Sequence, residues 1–126
     1  KAKSLLERAL TINEEVYGKE HPSVATGLNN LAGLHRTQGD HKKAKYLYEC
    51  ALAINQKVYG KEHLSVAVNL NNLAALHQDQ GDYEKALVLY KSAIKIANKF
   101  FEPDHPDVIL YTENYNVLLE EMQDNN

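Results

Sequence analysis

Val16-Tyr17-Gly18-Lys19-Glu20-His21-Pro22-Ser23-Val24-Ala25 returns 42 residues later as Val58-Tyr59-Gly60-Lys61-Glu62-His63-Leu64-Ser65-Val66-Ala67. Around it, Leu28-Asn29-Asn30-Leu31-Ala32 returns as Leu70-Asn71-Asn72-Leu73-Ala74, and Gln38-Gly39-Asp40 as Gln80-Gly81-Asp82. The whole chain is 126 residues, three times 42, and about 28 of the 42 positions in the first unit are identical in the second. The third unit keeps Ala86, Leu89, Tyr90, Ala93, Ile96, His105 and Asn114 and then drifts. An array of stacked repeats needs such a divergent last unit, because its outer side meets water instead of another repeat.

Within each unit the apolar period is helical. Ala2, Leu5, Ala9, Ile12 and Val16 step by three and four, as do Ala44, Leu47, Ala51, Ile54 and Val58, and Ala86, Leu89, Ala93, Ile96 and Phe100. That spacing is one face of an α-helix. Gly18 and Gly60 follow as left-handed C-cap candidates. His21-Pro22 then opens a second helix, since proline suits the first helical position. This helix buries Val24, Leu28, Leu31 and His35, and Gly39 and Gly81 end its two copies. The pattern predicts helices near 2–17, 23–38, 42–59, 65–80, 84–101 and 107–122, with no alternating strand pattern anywhere. The helices over 42–59 and 84–101 run to about 18 residues, or ~27 Å.

Composition sets the class. Apolar residues make 44% of the chain and charged residues 25%, which excludes disorder and collagen. A chain of this size buries roughly two-thirds of its unfolded surface without staples. No apolar run approaches the ~18 residues of a membrane helix, and no signal-peptide pattern opens the sequence. One cysteine, Cys50, and the lack of an Asn-x-Ser/Thr sequon point to the cytoplasm. The absence of an initiating Met predicts a piece of something longer. Net charge is −3, which argues against nucleic acid and anionic membrane as partners. Charge falls along the chain, from +1 to −1 to −3 per unit, and an acidic last unit suits a solvated cap.

These residues resemble the tetratricopeptide repeat (TPR). In that family a first helix, A, carries a small residue among large apolar ones, and a second helix, B, carries two more small residues. Leu28, Leu31, Ala32 and His35 supply the first, Ala44, Tyr48 and Ala51 the second; Leu70, Leu73, Ala74, His77, Ala86, Tyr90 and Ala93 repeat them. The 42-residue unit, with its Gly-Lys-Glu-His-Pro-Ser-Val-Ala loop and Leu-Asn-Asn-Leu-Ala helix, is similar to the kinesin light chain class. The resemblance implies an all-α, right-handed superhelical TPR solenoid of about six antiparallel-paired helices. It would comprise a lone B helix over 1–18, repeats over 21–60 and 63–102, and a capping helix over 105–123. Small residues at Ala32, Ala44 and Ala51 let backbones approach, while Leu31, Leu47 and Tyr48 fill the gaps. The face of 1–17 that an absent A helix would cover is then open to self-association or to preceding residues. Leu64 in place of proline, Glu102 in place of the C-cap glycine, and Thr112, Glu113, Tyr115 and Asn116 in the last helix depart from the pattern.

Catalytic and metal chemistry find little support. His21, His63 and His105 recur one per repeat, and a helix diameter of about 10 Å keeps them from sharing one zinc; each reads as a brace or cap before helix A. His35 and His77 read as packing groups with one polar edge. No His-Glu-x-x-His or Cys-x-x-Cys spacing occurs. Cys50 reads as a half-buried thiol beside Ala51, without a triad partner. Lys42, Lys43 and Lys45 form a basic cluster at the start of a B helix, expected on the solvated outside. No cofactor is implied, and the chain reads as a non-enzyme.

The resemblance places partner binding on the A helices, which line the concave face. By position that surface is Thr26, Asn29, Asn30, Gly33, Arg36 and Thr37, then Val68, Asn71, Asn72, Ala75 and Asp79, then Leu110, Glu113, Asn114 and Val117. Asparagine is a poor mid-helix residue. Asn30, Asn72 and Asn114 recur at the repeat period and would present a ladder of amides, each able to bracket a peptide unit of an extended guest. Arg36 is the one clear cation, so the two-cation carboxylate clamp of other TPRs is not expected. The kinesin light chain likeness implies instead an extended cargo or adaptor segment, with a Trp flanked by acidic residues. The competing readings are a structural spacer or self-association module, and a regulatory segment of a larger signalling protein.

Overall fold

A computed structural model describes residues 2–18 and 20–124, without the side chains of residues 2, 3, 5, 6 and 17. The expected face positions Ala2 and Leu5 therefore lie outside the described residues as side chains. Six helices follow in order: α1 (Ala2–Tyr17), α2 (Pro22–Thr37), α3 (His41–Tyr59), α4 (Leu64–Asp79), α5 (Tyr83–Phe100) and α6 (Pro106–Asp124). No strand occurs among the described residues. Every boundary falls within two residues of the apolar period's prediction, because glycine, proline, histidine and aspartate punctuate most ends.

The chain forms two compact units, Lys1–Lys61 and Glu62–Asn126. In the first, α1 packs on α2 and α2 on α3; in the second, α4 packs on α5 and α5 on α6. Loops this short make such neighbours antiparallel.

The A-type helices α2, α4 and α6 start alike. The backbone N–H of Ser23 donates to His21 Nδ1 at 3.0 Å, that of Ser65 to His63 Nδ1 at 3.0 Å, and that of Asp107 to His105 Nδ1 at 3.1 Å. Each imidazole thereby satisfies one of the orphan donors of a helix start. Leu64 opens α4 as Pro22 opens α2, so the histidine, not the proline, is the shared starting signal. His63→Ala is expected to cost about 1 kcal/mol, with His63→Asp recovering most of it. Urea denaturation of the three proteins side by side checks this.

The B-type helices end differently from one another. Gly60 closes α3 with φ 89° and ψ 169°. That is not the left-handed helical turn of a C-cap but a region essentially restricted to glycine. At the end of α5 Glu102 stands where the glycine would, and the chain leaves through Phe101 in extended conformation, its ring stacked on His105 at 3.6 Å. Stacking replaces the glycine as the stop.

The small-residue positions form the core. Ala32, Ala44 and Ala51 are fully buried in the first unit, beside Leu31, Leu47 and Tyr48. In the second, Ala74, Ala86, Tyr90 and Leu118 make one cluster, with Tyr83, Leu87, Leu89, Tyr115 and Met122 packed around it. His35 and His77 are buried as expected. The expected polar edge of His35 goes unused, however. Its Nδ1 lies 3.5 Å from Asp40 Oδ2, and neither ring nitrogen makes a hydrogen bond.

Candidate functional site

The residues expected to meet a partner fall on three A-type helices. On α2, Thr26 and Asn30 are exposed, while Asn29, Gly33 and Arg36 are half-buried. The Thr26 hydroxyl donates to its own helix at Pro22 O, 3.3 Å away, which spends its donor and leaves its oxygen as an acceptor. Asn29 and Arg36 both have interactions of their own, so neither is an idle group. A Cβ at Gly33 would lie 3.6 Å from the Tyr48 hydroxyl of α3, an ordinary van der Waals contact.

On α4, Val68 is 44% exposed, and Asn71, Asn72 and Ala75 are half-buried. Asn114 on α6 is half-buried, and its Nδ2 donates to Asn71 Oδ1 at 3.2 Å. The structure thus brings Asn71 and Asn114 together. Asn114 does not simply offer its whole amide outward, as a ladder of independent rungs would require. One of its two donors is spent on the neighbouring helix, which fixes the orientation of both amides.

A second bond in this seam was not legible from the repeat. Two turns further along α4, Gln78 Nε2 donates to Glu121 Oε1 on α6 at 2.7 Å. The buried Tyr90 of α5 donates its hydroxyl to Gln78 Oε1 at 2.8 Å. Tyr90, Gln78 and Glu121 therefore form a continuous relay from the core to the rim of the second unit. Two buried asparagines, Asn55 and Asn69, also escaped sequence reading. Asn69 stands at the position of Gly27 and of Tyr111, so no shared residue type marked it.

Elsewhere the charges are surface ties. Lys57 Nζ donates to Glu20 at 2.6 Å, and Lys99 donates to Glu62 in the corresponding place. The Lys99 hydrogen bond, and then its charge, hold the Glu62 carboxyl below the usual carboxylate range. Burial, aided by Asp107, pushes the Tyr111 hydroxyl up.

The first unit also has a cleft of about 420 Å³ whose apolar floor is Val24, Leu28 and Ile54, with Glu14, Tyr46 and Cys50 at its sides. Cys50 is a half-buried free thiol, as expected. Its hydrogen bond and charge raise the Tyr46 hydroxyl. Lys42 and Lys43 are exposed and Lys45 half-buried. No group of three or more His, Cys, Asp or Glu side chains that could hold a metal occurs among the described residues. No described helix is long and apolar enough to cross a membrane.

The tetratricopeptide-repeat family model matches residues 1–57, 47–99 and 65–125. Among solved structures, BtubC (BKLC) from P. vanneervenii superposes with a TM-score of 0.87 at 28% identity, over 98% of this chain and 49% of that one. A Podosopora anserina kinesin light chain of nearly identical TPR-like repeats gives 0.83 at 26% identity, over 93% of this chain and 56% of that one. A single-residue variant of that protein gives 0.82 at 26% identity, over 93% and 55%. The chain thus spans about half the length of these structures. No curated protein matches it.

Proposed function

Because the chain belongs to the tetratricopeptide-repeat family, a fold that implies a protein-interaction scaffold, we propose that it holds an extended peptide against its A-type helices without catalysing a reaction. The observation that carries this reading is the accessible asparagine in mid-helix. Asn30 is exposed, and Asn72 and Asn114 are half-buried, at corresponding places on α2, α4 and α6. Mid-helix asparagine lowers helix stability, so its repetition on accessible turns makes sense if the amides serve a guest backbone. On this reading the repeats of 21–60 and 63–102 each offer such a surface, and the helix of 105–123 caps the second.

On the second repeat a guest's side chains would seat beside Val68 and Ala75; on the first, Arg36 would suit an acidic residue. The kinesin light chain likeness favours an adaptor or cargo segment with a central Trp among acidic residues. This role belongs in the cytoplasm and needs no cofactor, metal, nucleic acid or membrane insertion. The exposed Lys99–Glu62 and Lys57–Glu20 ties take no part in this reading.

The chain contains no tryptophan, so a Trp-centred acidic peptide reports binding by its own fluorescence. Saturable binding is expected, with Asn72→Ala weakening it about five-fold, the equivalent of one hydrogen bond of ~1 kcal/mol. Equal binding by both proteins would move the site off the asparagines, and no binding near millimolar peptide would sink the cargo-motif reading. A spacer or self-association role is the rival, favoured by Ile12 and Val16 of α1, which are 55% and 67% exposed. A mass that rises with concentration, with no peptide bound, would support it.

A further inference from the structure

Two bonds hold α4 and α6 side by side, Asn114 to Asn71 at 3.2 Å and Gln78 to Glu121 at 2.7 Å. Both join residues 43 apart, so the two helices run in the same direction and in one register. Ala75 and Val117 lie between these rungs, and Val68 and Leu110 lie one turn before the first. All four follow the rung residues by steps of three or four, which keeps them on one face of each helix. Val68 is 44% exposed, and Leu110 and Val117 are each 49% exposed. Val68 is open although α6 stands beside its helix, so the exposure belongs to this register and not to the last helix alone.

The first unit shares the frame of this face but not its lining. Asn72 and Asn114 keep the place of Asn30, whereas Thr26 becomes Val68 and then Leu110, and Gly33 becomes Ala75 and then Val117. Charge changes with them. α2 carries Arg36 and no acid. α4 and α6 carry six acids and neither lysine nor arginine. Three of those acids, Asp79, Asp107 and Glu121, stand seven residues from Asn72 or Asn114 and so share their face. Glu121 keeps acceptor capacity beyond its bond to Gln78. Asp79 ends α4, where the negative pole of the helix adds to its charge. All four lysines of this unit, Lys85, Lys91, Lys95 and Lys99, are exposed on α5. The buried side of α5 packs on α4 and α6, which leaves those lysines on its far side.

An apolar lining with acids around it fits one guest chemistry. We propose that the α4–α6 face takes an extended segment in which an aliphatic or aromatic side chain is flanked by lysine or arginine. The apolar side chain covers Val68, Leu110 and Val117, and the cations reach Asp79, Asp107 and Glu121 along stems that are themselves apolar. An acidic flank, which suits Arg36 on the first unit, would here set acid against acid. This inference rests on the reading that the A-type helices hold an extended guest, and adds the charge of that guest.

The test titrates two peptides against the whole chain by their own fluorescence. One has a Leu-Trp-Leu core flanked on both sides by lysines, the other the same core flanked by glutamates, at about 0.15 M salt to screen distant charge. The lysine peptide should bind about ten-fold tighter, as a few exposed ion pairs allow. Asn72→Ala should weaken it about five-fold, the loss of one hydrogen bond. Leu110→Ser should weaken it about three-fold or more, through lost apolar contact. Asp79→Asn combined with Asp107→Asn should cut the preference to about three-fold or less. Glu84→Gln combined with Glu102→Gln makes the same change of net charge away from this face and should leave the preference intact. Leu110 and all four of these acids are exposed, so the fold survives the changes, and circular dichroism checks that. If the glutamate peptide binds as tightly or tighter and Asn72→Ala still weakens it, the groove reading stands and the basic guest is overturned. The proposal also fails if Leu110→Ser has no effect, or if both pairs of acid substitutions reduce the preference alike, since net charge alone would then be the attraction. If neither peptide binds near millimolar concentration, the groove reading and this inference fall together.

Discussion

Leu118→Ala is expected to destabilise the second unit by about 2–5 kcal/mol. Leu118 is completely buried, in contact with the cluster of Ala74, Ala86 and Tyr90. Two of its neighbours are already alanines, so they have no side chain to swing into the space. A cavity would remain, and its cost adds to the lost transfer energy of the deleted carbons. The loss approaches the whole stability of a small domain, typically about 5–15 kcal/mol. Urea unfolding should show a lower midpoint, and hydrogen exchange should show α6 opening first, because Leu118 is the most deeply buried of the three buried residues described on that helix, the others being Val108 and Tyr111. A cost below about 1 kcal/mol would mean that α6 is not held through this cluster.

His35→Leu is expected to act in the other direction, raising stability by about 1–3 kcal/mol at neutral pH. Its side chain is 1% exposed, and both ring nitrogens are buried without a hydrogen bond. A buried polar atom left unpaired forfeits its hydration and gains nothing in return. Leucine is close in volume, and the register already accepts it, since Leu119 holds the corresponding place on α6. Asp40, the nearest polar group, is half-exposed and caps α3 through the Lys43 N–H, so it does not depend on the imidazole. A rise in thermal midpoint with unchanged peptide binding is the expected result. Destabilisation would show that the ring is held by shape in a way leucine cannot copy.

The helices were legible because their limits are set locally. A period of three and four, a histidine acceptor at each A-helix start and glycines at most ends require no knowledge of the neighbour. The small-residue core was legible for a related reason: Ala32, Ala44 and Ala51 are informative by their size alone. What the period could not reveal was pairing between side chains. It places Asn71, Asn72 and Asn114, but not the bond from Asn114 to Asn71, which depends on which of two adjacent amides the next helix faces. It places His35 inside, but not the idle state of its nitrogens. Asn55 and Asn69 read as ordinary polar residues until burial shows otherwise. The closure of α5 by Phe101 stacking on His105 likewise needs both partners in view.

The rung between α4 and α6 has a consequence for how such a chain can grow. Its donor, Asn114, is the one-period counterpart of Asn72, and its acceptor is Asn71. Both halves of the connector are therefore encoded in a single unit, one looking forward and one looking back. A gene that copies residues 43–84 in place supplies a new donor for the old acceptor and a new acceptor for the old donor. Length can change by whole periods without inventing a joint, whereas an insertion of any other length leaves two amides mismatched.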